Sequence, residues 1–417
     1  MSRRRFRRRH ILQGAAAAAA LGGCTTWPML WPEQGFFNPC LALLPRELAE
    51  HELVQSAWDG IDTSRVWDAH AHLIGTGDSG SGITINPRME SLFNPGGYAR
   101  RMFFLNAACA HESPDQIDRA YVERMLKLVD GLRPGVKLLL FAFESAHGED
   151  GKLDAERTNF YIPDAYARDV ARAHPRYFEW VASIHPYRAD CVQALEQAKR
   201  DRVRAVKWIP AAMGIDPASP RCDRFYGALA RLDLPLVTHS GLERAVISGY
   251  SQDLGNPLRL RRPLAAGVRV VVAHCASMGT DRDLDRGADG PLVPSFELFA
   301  RLMEEARYEG RLYGDLSAMP QVNRAGPALA RVIERSDWHA RLLNGSDYPL
   351  PGVMPLFSVD YLVSLGLLAE RAAPVLKAIR AHNPLLFDFV LKRTLRSGGK
   401  SLARGVFETR GFFERVV

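Results

Sequence analysis

The 417-residue sequence predicts an α/β protein built as one TIM (β/α)8 barrel, and three observations lead to this prediction. Eight short apolar or β-branched runs alternate with longer amphipathic segments, which indicates parallel strands joined by helices and, with eight repeats, a closed barrel. The apolar fraction of 47% and the charged fraction of 24% are ordinary for a globular chain. No glycine-rich phosphate loop follows the first run, which disfavours the doubly wound sheet as the alternative fold.

Residues 1–24 are predicted to be a signal peptide, because an arginine-rich head precedes a short alanine-rich run and small residues. The apolar run is too short to span a bilayer. Ser2-Arg3-Arg4-Arg5-Phe6 resembles a twin-arginine export signal, with an ordinary secretory leader as the alternative. Leu21-Gly22-Gly23-Cys24 resembles a bacterial lipobox. We therefore expect lipidation of Cys24, export to the periplasm or cell envelope, and membrane contact through the lipid anchor only.

The rest of the chain divides into a tether at 25–60, the barrel domain at 61–395 and a C-terminal tail at 396–417. An insertion at 75–129 separates the first two strands and is expected to lie over the barrel mouth as part of a lid. The predicted strands span 65–70, 136–143, 178–185, 203–209, 234–239, 268–274, 312–316 and 342–347. The clearest predicted helices span 163–173, 191–200, 225–231, 295–307 and 325–334.

The net charge of +7 comes almost entirely from the leader. Six of the 54 basic residues are arginines within residues 1–24, which contain no acidic residue, so 48 basic and 47 acidic residues remain. A nucleic-acid-binding protein needs clustered positive charge on its folded domain. The expected partner is therefore a small-molecule substrate and not a nucleic acid, while a homo-oligomer remains an open alternative.

The six cysteines form no C-x-x-C pair and no dense framework, so neither a zinc ribbon nor a disulfide scaffold is predicted. Buried or free thiols are the favoured interpretation. A Cys40–Cys222 disulfide in an oxidising compartment is the alternative.

Four histidines and one aspartate end predicted strands, where barrel enzymes carry their chemistry. His70 and His72 end the first strand, His239 the fifth, His274 the sixth and Asp347 the eighth. Imidazole and carboxylate suit zinc, manganese or iron, and a buried aspartate needs a partner or a metal. The joint pattern predicts a site for a divalent metal, with zinc favoured and manganese or iron as alternatives.

These motifs resemble the amidohydrolase superfamily, specifically the amidohydrolase-related group of metal-dependent hydrolases that also contains aromatic-acid decarboxylases. The resemblance implies that His70, His72, His239 and Asp347 hold the metal, and that His274 binds a second metal or orients the attacked group. It covers residues 66–386 and rests on Asp68-x-His70-x-His72, His239, His274, Gly345-Ser346-Asp347-Tyr348-Pro349 and Asn383-Pro384-Leu385-Leu386-Phe387.

Lys207 lies within the fourth predicted strand, where an unpaired buried ammonium is costly. In binuclear members of the superfamily, a lysine at this strand is carboxylated and bridges two metals. The favoured alternative here is an unmodified lysine that binds a substrate carboxylate.

The predicted reaction is hydrolysis of a C–O or C–N bond in a lactone, amide or related small molecule by a metal-activated water. Asp347 would transfer the proton, and His274 would polarise the substrate oxygen. One alternative is metal-dependent, non-oxidative decarboxylation of a small aromatic or unsaturated acid. Another is a catalytically inactive, ligand-binding envelope lipoprotein. A serine hydrolase is disfavoured because no Gly-x-Ser-x-Gly elbow occurs.

Three further residues, Arg188, Glu243 and Arg282, follow or lie near strand ends and are candidates for positioning a substrate, with surface charge as the alternative for each. The remaining histidines are expected to be structural or solvent-facing; they are His51, His111, His147, His185 and His339.

Overall fold

The computed structural model describes residues 32–41, 43–113, 115–246 and 249–414. The predicted signal peptide and the predicted lipidation site at Cys24 lie outside these residues. Within the described ranges, no helix combines the length and the apolar character needed to cross a membrane.

The strands occur in the predicted order, with two short antiparallel strand pairs added outside the barrel. Their bounds are β1 Trp67–His72, β2 Thr84–Ile85, β3 Lys137–Phe141, β4 Phe160–Tyr161, β5 Phe178–Val181, β6 Val206–Trp208, β7 Leu236–His239, β8 Val270–Ala273, β9 Thr280–Arg282, β10 Leu292–Pro294, β11 Leu312–Asp315 and β12 Leu342–Leu343.

The α-helices alternate with the barrel strands and add short segments at both ends of the described chain. Their bounds are α1 Arg46–Ala49, α2 Glu52–Ser56, α3 Pro95–Ala107, α4 Ile117–Asp130, α5 Asp164–Ala173, α6 Cys191–Arg200, α7 Pro210–Met213, α8 Asp223–Arg231, α9 Arg261–Ala265, α10 Ser295–Glu304, α11 Pro327–Glu334, α12 Val359–Ser364, α13 Ala373–His382, α14 Pro384–Thr394 and α15 Arg410–Phe413.

Eight parallel strands close into a barrel, as the alternation predicts. Strands β1, β3 and β5 pair in one run, and β6, β7, β8, β11 and β12 pair in another. Parallel bridges join the runs at Ala182–Val206 and at Ala71–Tyr348. Each predicted strand overlaps one barrel strand, and β1 extends two residues further than predicted, to His72. The predicted TIM barrel is therefore confirmed.

The barrel interior is filled by apolar side chains at the end opposite the mouth. Trp67, Val181 and Val271 from the strands pack in one buried cluster with Phe412 and Phe413 of α15. Thr409 Oγ1 donates to the Trp67 carbonyl, and Arg269 donates to the Phe412 carbonyl at 2.9 Å. The described part of the predicted C-terminal tail is thus the floor of the barrel.

The described part of the predicted tether also packs on the barrel body. The Trp58 ring stacks on Phe389 of α14 with centroids 4.0 Å apart. Glu33 accepts hydrogen bonds from Ser358 Oγ and the Val359 amide at the start of α12. A disordered spacer would make no such contacts, so the described part of residues 32–60 packs on the barrel domain.

A disulfide joins Cys40 to Cys109. The alternative Cys40–Cys222 pairing is therefore wrong, because Cys222 is a buried free thiol beside α8. Cys109 follows α3, and Asn38 is hydrogen-bonded to Asn106 near the same helix end. The remaining described cysteines, Cys191 and Cys275, are buried and free, as favoured from the sequence, whereas that interpretation is wrong for Cys40 and Cys109.

The insertion after β1 forms one wall of the cavity at the barrel mouth. It contains β2, which pairs antiparallel with β4, and the helix α3. Residues such as Ile85, Phe103 and Phe104 from this insertion line the cavity. The insertion therefore lies over the mouth, as predicted.

Candidate metal centre

The end of β1 places two imidazoles side by side at the barrel mouth. His70 and His72 are two residues apart on an extended chain, so both side chains point to the same side. Their Nε2 atoms are 3.2 Å apart. The Asp68 carboxylate accepts the His70 amide at 3.1 Å and the Ser346 amide at 2.8 Å, so it ties β1 to the loop after β12.

Asp347 lies opposite these imidazoles in the loop that follows β12. Its Oδ1 is 3.3 Å from His70 Nε2 and 3.1 Å from His72 Nε2. The backbone has φ +62° at Asp347, and its amide donates to the His70 carbonyl at 2.8 Å. A Cβ on Gly345 would lie 2.6 Å from the His70 Cβ. Glycine is therefore required there for the loop to approach β1 so closely.

His274 reaches the cluster from the end of β8. His274, Cys275 and Ala276 all have positive φ, between 50° and 56°. Non-glycine residues rarely adopt this conformation, and such strain concentrates at functional sites. The turn brings His274 Nε2 to 3.7 Å from Asp347 Oδ2. The local backbone is thus held in an unfavourable shape that directs the imidazole into the mouth.

His70, His274 and Asp347 each offer one ligand atom, and these atoms lie within 4.8 Å of one another. All three residues are buried. Burial lowers the pKa of His70 to about 4 and that of His274 well below its usual range. Burial opposes ionisation of Asp347, but the neighbouring His70 and His274 still hold its pKa well below normal. Neutral imidazoles beside an ionised carboxylate are the protonation states that divalent metals bind, so these donors fit a metal.

Asp315, at the end of β11, orients the cluster. It was not among the site residues predicted from the sequence. Its Oδ2 is 2.8 Å from His70 Nδ1, and its Oδ1 accepts the His274 amide at 2.9 Å. Ser317 Oγ donates to the same carboxylate, and the Ser317 carbonyl lies 2.8 Å from His274 Nδ1. These partners hold each imidazole with Nε2 facing the mouth, as partners of metal-binding histidines commonly do. The sequence contained a signal for it, because Asp315 is the penultimate residue of the predicted strand 312–316.

His239 ends β7 beside the cluster but is not one of the three mutually close donors. Its ring centroid is 5.3 Å from that of His274. Its Nδ1 lies 3.3 Å from Glu243 Oε2, and its Nε2 lies 3.4 Å from the Leu242 carbonyl oxygen. Glu243 also accepts the Ala245 amide at 2.5 Å. Glu243 therefore contacts a predicted ligand and shapes the loop after β7.

Lys207 lies in β6 with 1% of its surface exposed. Its Nζ is 3.3 Å from His70 Nε2 and 5.1 Å from the centre of the Phe141 ring. Burial lowers its pKa to about 8. Within the described ranges no carboxylate lies within ion-pair distance of its Nζ, so the ammonium is available to a ligand at the metal centre.

The metal centre opens into a cavity of about 320 Å³. Apart from the cluster, its polar lining includes Gln321, Arg324 and the half-buried Arg100.

Two predicted substrate residues lie outside this cavity. Arg188 pairs with Glu144 at 2.6 Å and with Asp190, whereas Arg282 ends β9 and donates to the Gly290 carbonyl. Neither is among the described residues that line the cavity.

Comparison with known proteins identifies one family. A family model described as amidohydrolase matches residues 67–385, more than half of the chain. None of the curated proteins compared with the chain matches it.

Several solved structures are similar to this chain at low identity. They include an uncharacterised TIM-barrel protein from Bordetella bronchiseptica (16% identity, 75% of this chain and 99% of that chain, TM-score 0.46). A probable 2-pyrone-4,6-dicarboxylic acid hydrolase from Acinetobacter baumannii is 13% identical over 77% of this chain and 97% of that chain, with a TM-score of 0.38. The 5-carboxyvanillate decarboxylase from Sphingomonas paucimobilis is 13% identical over 76% and 96%, with a TM-score of 0.42.

Proposed function

This chain belongs to the amidohydrolase family, and from that premise we propose that it is a metal-dependent hydrolase of a small molecule. The reaction would cleave a C–O or C–N bond of a lactone, amide or related compound. The observation that carries the proposal is the convergence of His70, His274 and Asp347 at the barrel mouth, with His72 in contact and Asp315 orienting His70.

We propose His70, His72, His239 and Asp347 as the metal ligands. The first two and Asp347 have ligand atoms within 3.3 Å of one another. His239 is outside this close set, and its ring centroid lies 5.3 Å from that of His274. Zinc is the favoured metal because the donors are imidazoles and a carboxylate, with manganese or iron as alternatives.

The chain supplies the proton transfers of this reaction. A divalent ion, when bound, supplies Lewis acidity that brings the pKa of a water molecule to roughly 7. Asp347, ionised and aimed into the cavity, accepts a proton from the attacking water and returns it to the leaving group. His274 Nε2 faces the same space and contacts the substrate oxygen, where negative charge develops. The apolar walls exclude bulk water, which strengthens these interactions.

Non-oxidative decarboxylation is the second candidate. The observation that favours it is Lys207, an ammonium buried beside His70 without a carboxylate partner among the described residues. Such a group would stabilise the carboxylate of an acid substrate. The two reactions share the metal centre and differ in what is released.

Metal analysis and product analysis test the proposal together. Elemental analysis of the purified chain should find about one zinc or manganese per chain, and His70→Ala should lose it. His51→Ala is the matched control, because His51 is exposed and caps α2. In a panel of lactones, amides and small acids, hydrolysis of a lactone releases titratable acid and hydrolysis of an amide releases a carboxylate and an amine, whereas decarboxylation releases carbon dioxide. A folded wild type that holds no metal under replete conditions would contradict both candidates, and metal without turnover would favour the inactive binding protein.

We also propose that the protein is exported and anchored through lipidated Cys24. The Cys40–Cys109 disulfide supports this, because disulfides persist in oxidising compartments and are rare in the cytosol. Cell fractionation of wild type and Cys24→Ala tests it. The wild type should be recovered with membranes and the variant in the soluble envelope fraction, and recovery of both in the cytosol would contradict the proposal.

A further inference from the structure

Arg324 is a buried cation in the cavity whose hydrogen-bonding capacity is largely unused. It lies in the loop after β11 and is 8% exposed. Its Nη1 donates to Ser277 Oγ at 3.4 Å, which is long for a hydrogen bond. Its Nε is buried and has no hydrogen-bond partner in the described part of the chain. A buried guanidinium with unused donors costs free energy unless a ligand accepts hydrogen bonds from it.

The charges around Arg324 belong to the metal centre and do not pair with it. The acidic side chains that act electrostatically on Arg324 are Asp347, Glu243 and Asp315. None of these carboxylates lies within 4.0 Å of the guanidinium in the described structure; Asp347 and Asp315 face histidines, and Glu243 faces His239 and backbone amides. The guanidinium therefore stands next to the reaction site with its donors available.

The remaining cavity lining includes Arg100, Arg101, Arg244 and Asn323, but much of it is apolar. We call this part the apolar chamber; it is lined by Ile83, Ile85, Phe103, Phe143, Phe160 and Val246. These residues come from the insertion that contains β2, from the segment after β3, from β4 and from the loop after β7. A chamber of this composition favours an apolar body and gives no partner to a second charged group.

We infer that the ligand of this site is an amphipathic carboxylic acid, with its carboxylate held by Arg324 and its apolar body in the apolar chamber. The planar fork of a guanidinium matches the two oxygens of one carboxylate. Arg324 is thus a specificity-determining residue that orients the acid beside the metal centre. This inference rests on the proposed function for the reaction, but the binding itself does not require turnover.

Calorimetric titration with three probes tests the carboxylate contact. The probes are 4-phenylbutyrate, the neutral 4-phenylbutan-1-ol and butyrate. We expect the wild type to bind 4-phenylbutyrate about tenfold more tightly than the alcohol, because a charged hydrogen bond is lost with the alcohol. Arg324→Gln should remove this preference while keeping the wild-type affinity for the alcohol, and Arg282→Gln, outside the cavity, should keep both. Equal binding of acid and alcohol by the wild type would overturn the inference, whether or not the variant folds.

The same titration on metal-free protein distinguishes binding of the carboxylate by Arg324 from binding by the metal. The preference for the acid should survive treatment with a chelator, because Arg324 needs no metal to bind a carboxylate. Loss of the preference on chelation would overturn the inference by assigning the carboxylate to the metal. The metal content of the same samples tests the proposed function independently, so the two failures are distinguishable.

A second variant tests whether the apolar body of the ligand binds in the apolar chamber. Ile85→Asn places an amide in the chamber wall at a half-buried position, and it should weaken 4-phenylbutyrate binding about tenfold while leaving butyrate unchanged. Leu365→Asn is the matched control, since Leu365 follows α12 and is 37% exposed. Unchanged binding of 4-phenylbutyrate by Ile85→Asn would overturn the assignment of the apolar body to this chamber.

Discussion

Asp315 decides which nitrogen of His70 faces the cavity. Its carboxylate occupies the Nδ1 side of the imidazole at 2.8 Å, so the proton lies on Nδ1 and the lone pair on Nε2 faces Asp347 and His72. The His70 pKa stays low because burial outweighs this carboxylate, so the ring is neutral at pH 7. One acidic side chain therefore sets both the tautomer and the orientation of a proposed ligand.

Removing that carboxylate should weaken metal binding without unfolding the barrel. We predict that Asp315→Asn lowers the affinity for zinc about 10- to 100-fold, as loss of a partner behind a ligating histidine generally does. Competition with a chromophoric chelator measures the change. Asp281→Asn, a buried aspartate in β9 outside the cavity lining, is the control. An unchanged affinity in Asp315→Asn would remove Asp315 from the metal centre.

His185 is buried and satisfied by backbone groups at both ring nitrogens. Its Nε2 lies 3.0 Å from the Met213 carbonyl oxygen, and its Nδ1 accepts the Tyr187 amide. Burial, followed by the charge of His147, lowers its pKa to about 3. The unfolded chain binds this proton at about pH 6.5, so folding stability falls as the pH drops from about 6.5 towards 3.

The difference between the pKa of His185 in the folded and the unfolded chain predicts that this residue contributes separately to the loss of stability in acid. Between pH 7.5 and 5.0 the wild type should lose about 2 kcal/mol more unfolding free energy than His185→Gln, which does not titrate. Urea unfolding at the two pH values measures both proteins. Identical losses in the two proteins would mean that His185 is not held neutral in the fold.

Helix α14 supports the loop that carries Asp347. Lys392 donates to the Gly345 carbonyl at 2.6 Å and to Asp388 at 2.7 Å, and both charged side chains are 2% exposed or less. Gly345 precedes Asp347 by two residues and contacts β1. The ion pair within the helix therefore anchors the strand-end loop on which the carboxylate depends.

Breaking this pair should affect both stability and the metal site. We predict that Lys392→Met costs about 3–5 kcal/mol of unfolding free energy, because the buried Asp388 carboxyl, whose pKa burial already raises to about 7, loses its partner. The double variant with Asp388→Leu should recover much of that loss but not the metal affinity, since the Gly345 carbonyl still lacks its donor. Urea unfolding and zinc competition measure the two effects. Full stability of the single variant would show that the pair is not needed.

At the scale of the whole molecule, one covalent link ties the N-terminal segment to the cavity wall. Cys40 and Cys109 are 69 residues apart, and Cys109 follows α3, whose residues line the cavity. A cross-link over such a loop stabilises a fold by about 2–4 kcal/mol, chiefly by restricting the unfolded chain.

The link predicts a response to reducing agents. Dithiothreitol should lower the Tm of the wild type, and the Cys40→Ser/Cys109→Ser double variant should start at that lower Tm and not respond further. Thermal unfolding with and without the reductant measures both proteins. An equal shift of both would assign the effect to something other than this disulfide.

Much of the architecture followed from local patterns along the chain. The order of the eight strands, the placement of His70 and His72 at the end of β1 and the positions of His274 and Asp347 just after β8 and β12 are periodic or short-range features, so the sequence sufficed for them. The predicted strand 342–347 is too long, because β12 ends at Leu343. The mouth-lining insertion followed from its position after the first strand. The sequence did not predict that the tether and the tail pack on the barrel. Trp58 and Phe412 contact residues that are distant in the sequence, so their packing depends on the closed barrel.

The sequence by itself therefore determined the family, the barrel and the strand ends that carry the candidate ligands. Only the tertiary structure decided that Asp315 contacts His70 across 245 residues and that Cys40 pairs with Cys109. It also decided that Arg324 lines the cavity with its Nε unbonded among the described residues. The physical reason is that hydrophobic periodicity reports which face of an element is buried. Which distant side chains meet on that face depends on how the barrel closes and which loops turn inward.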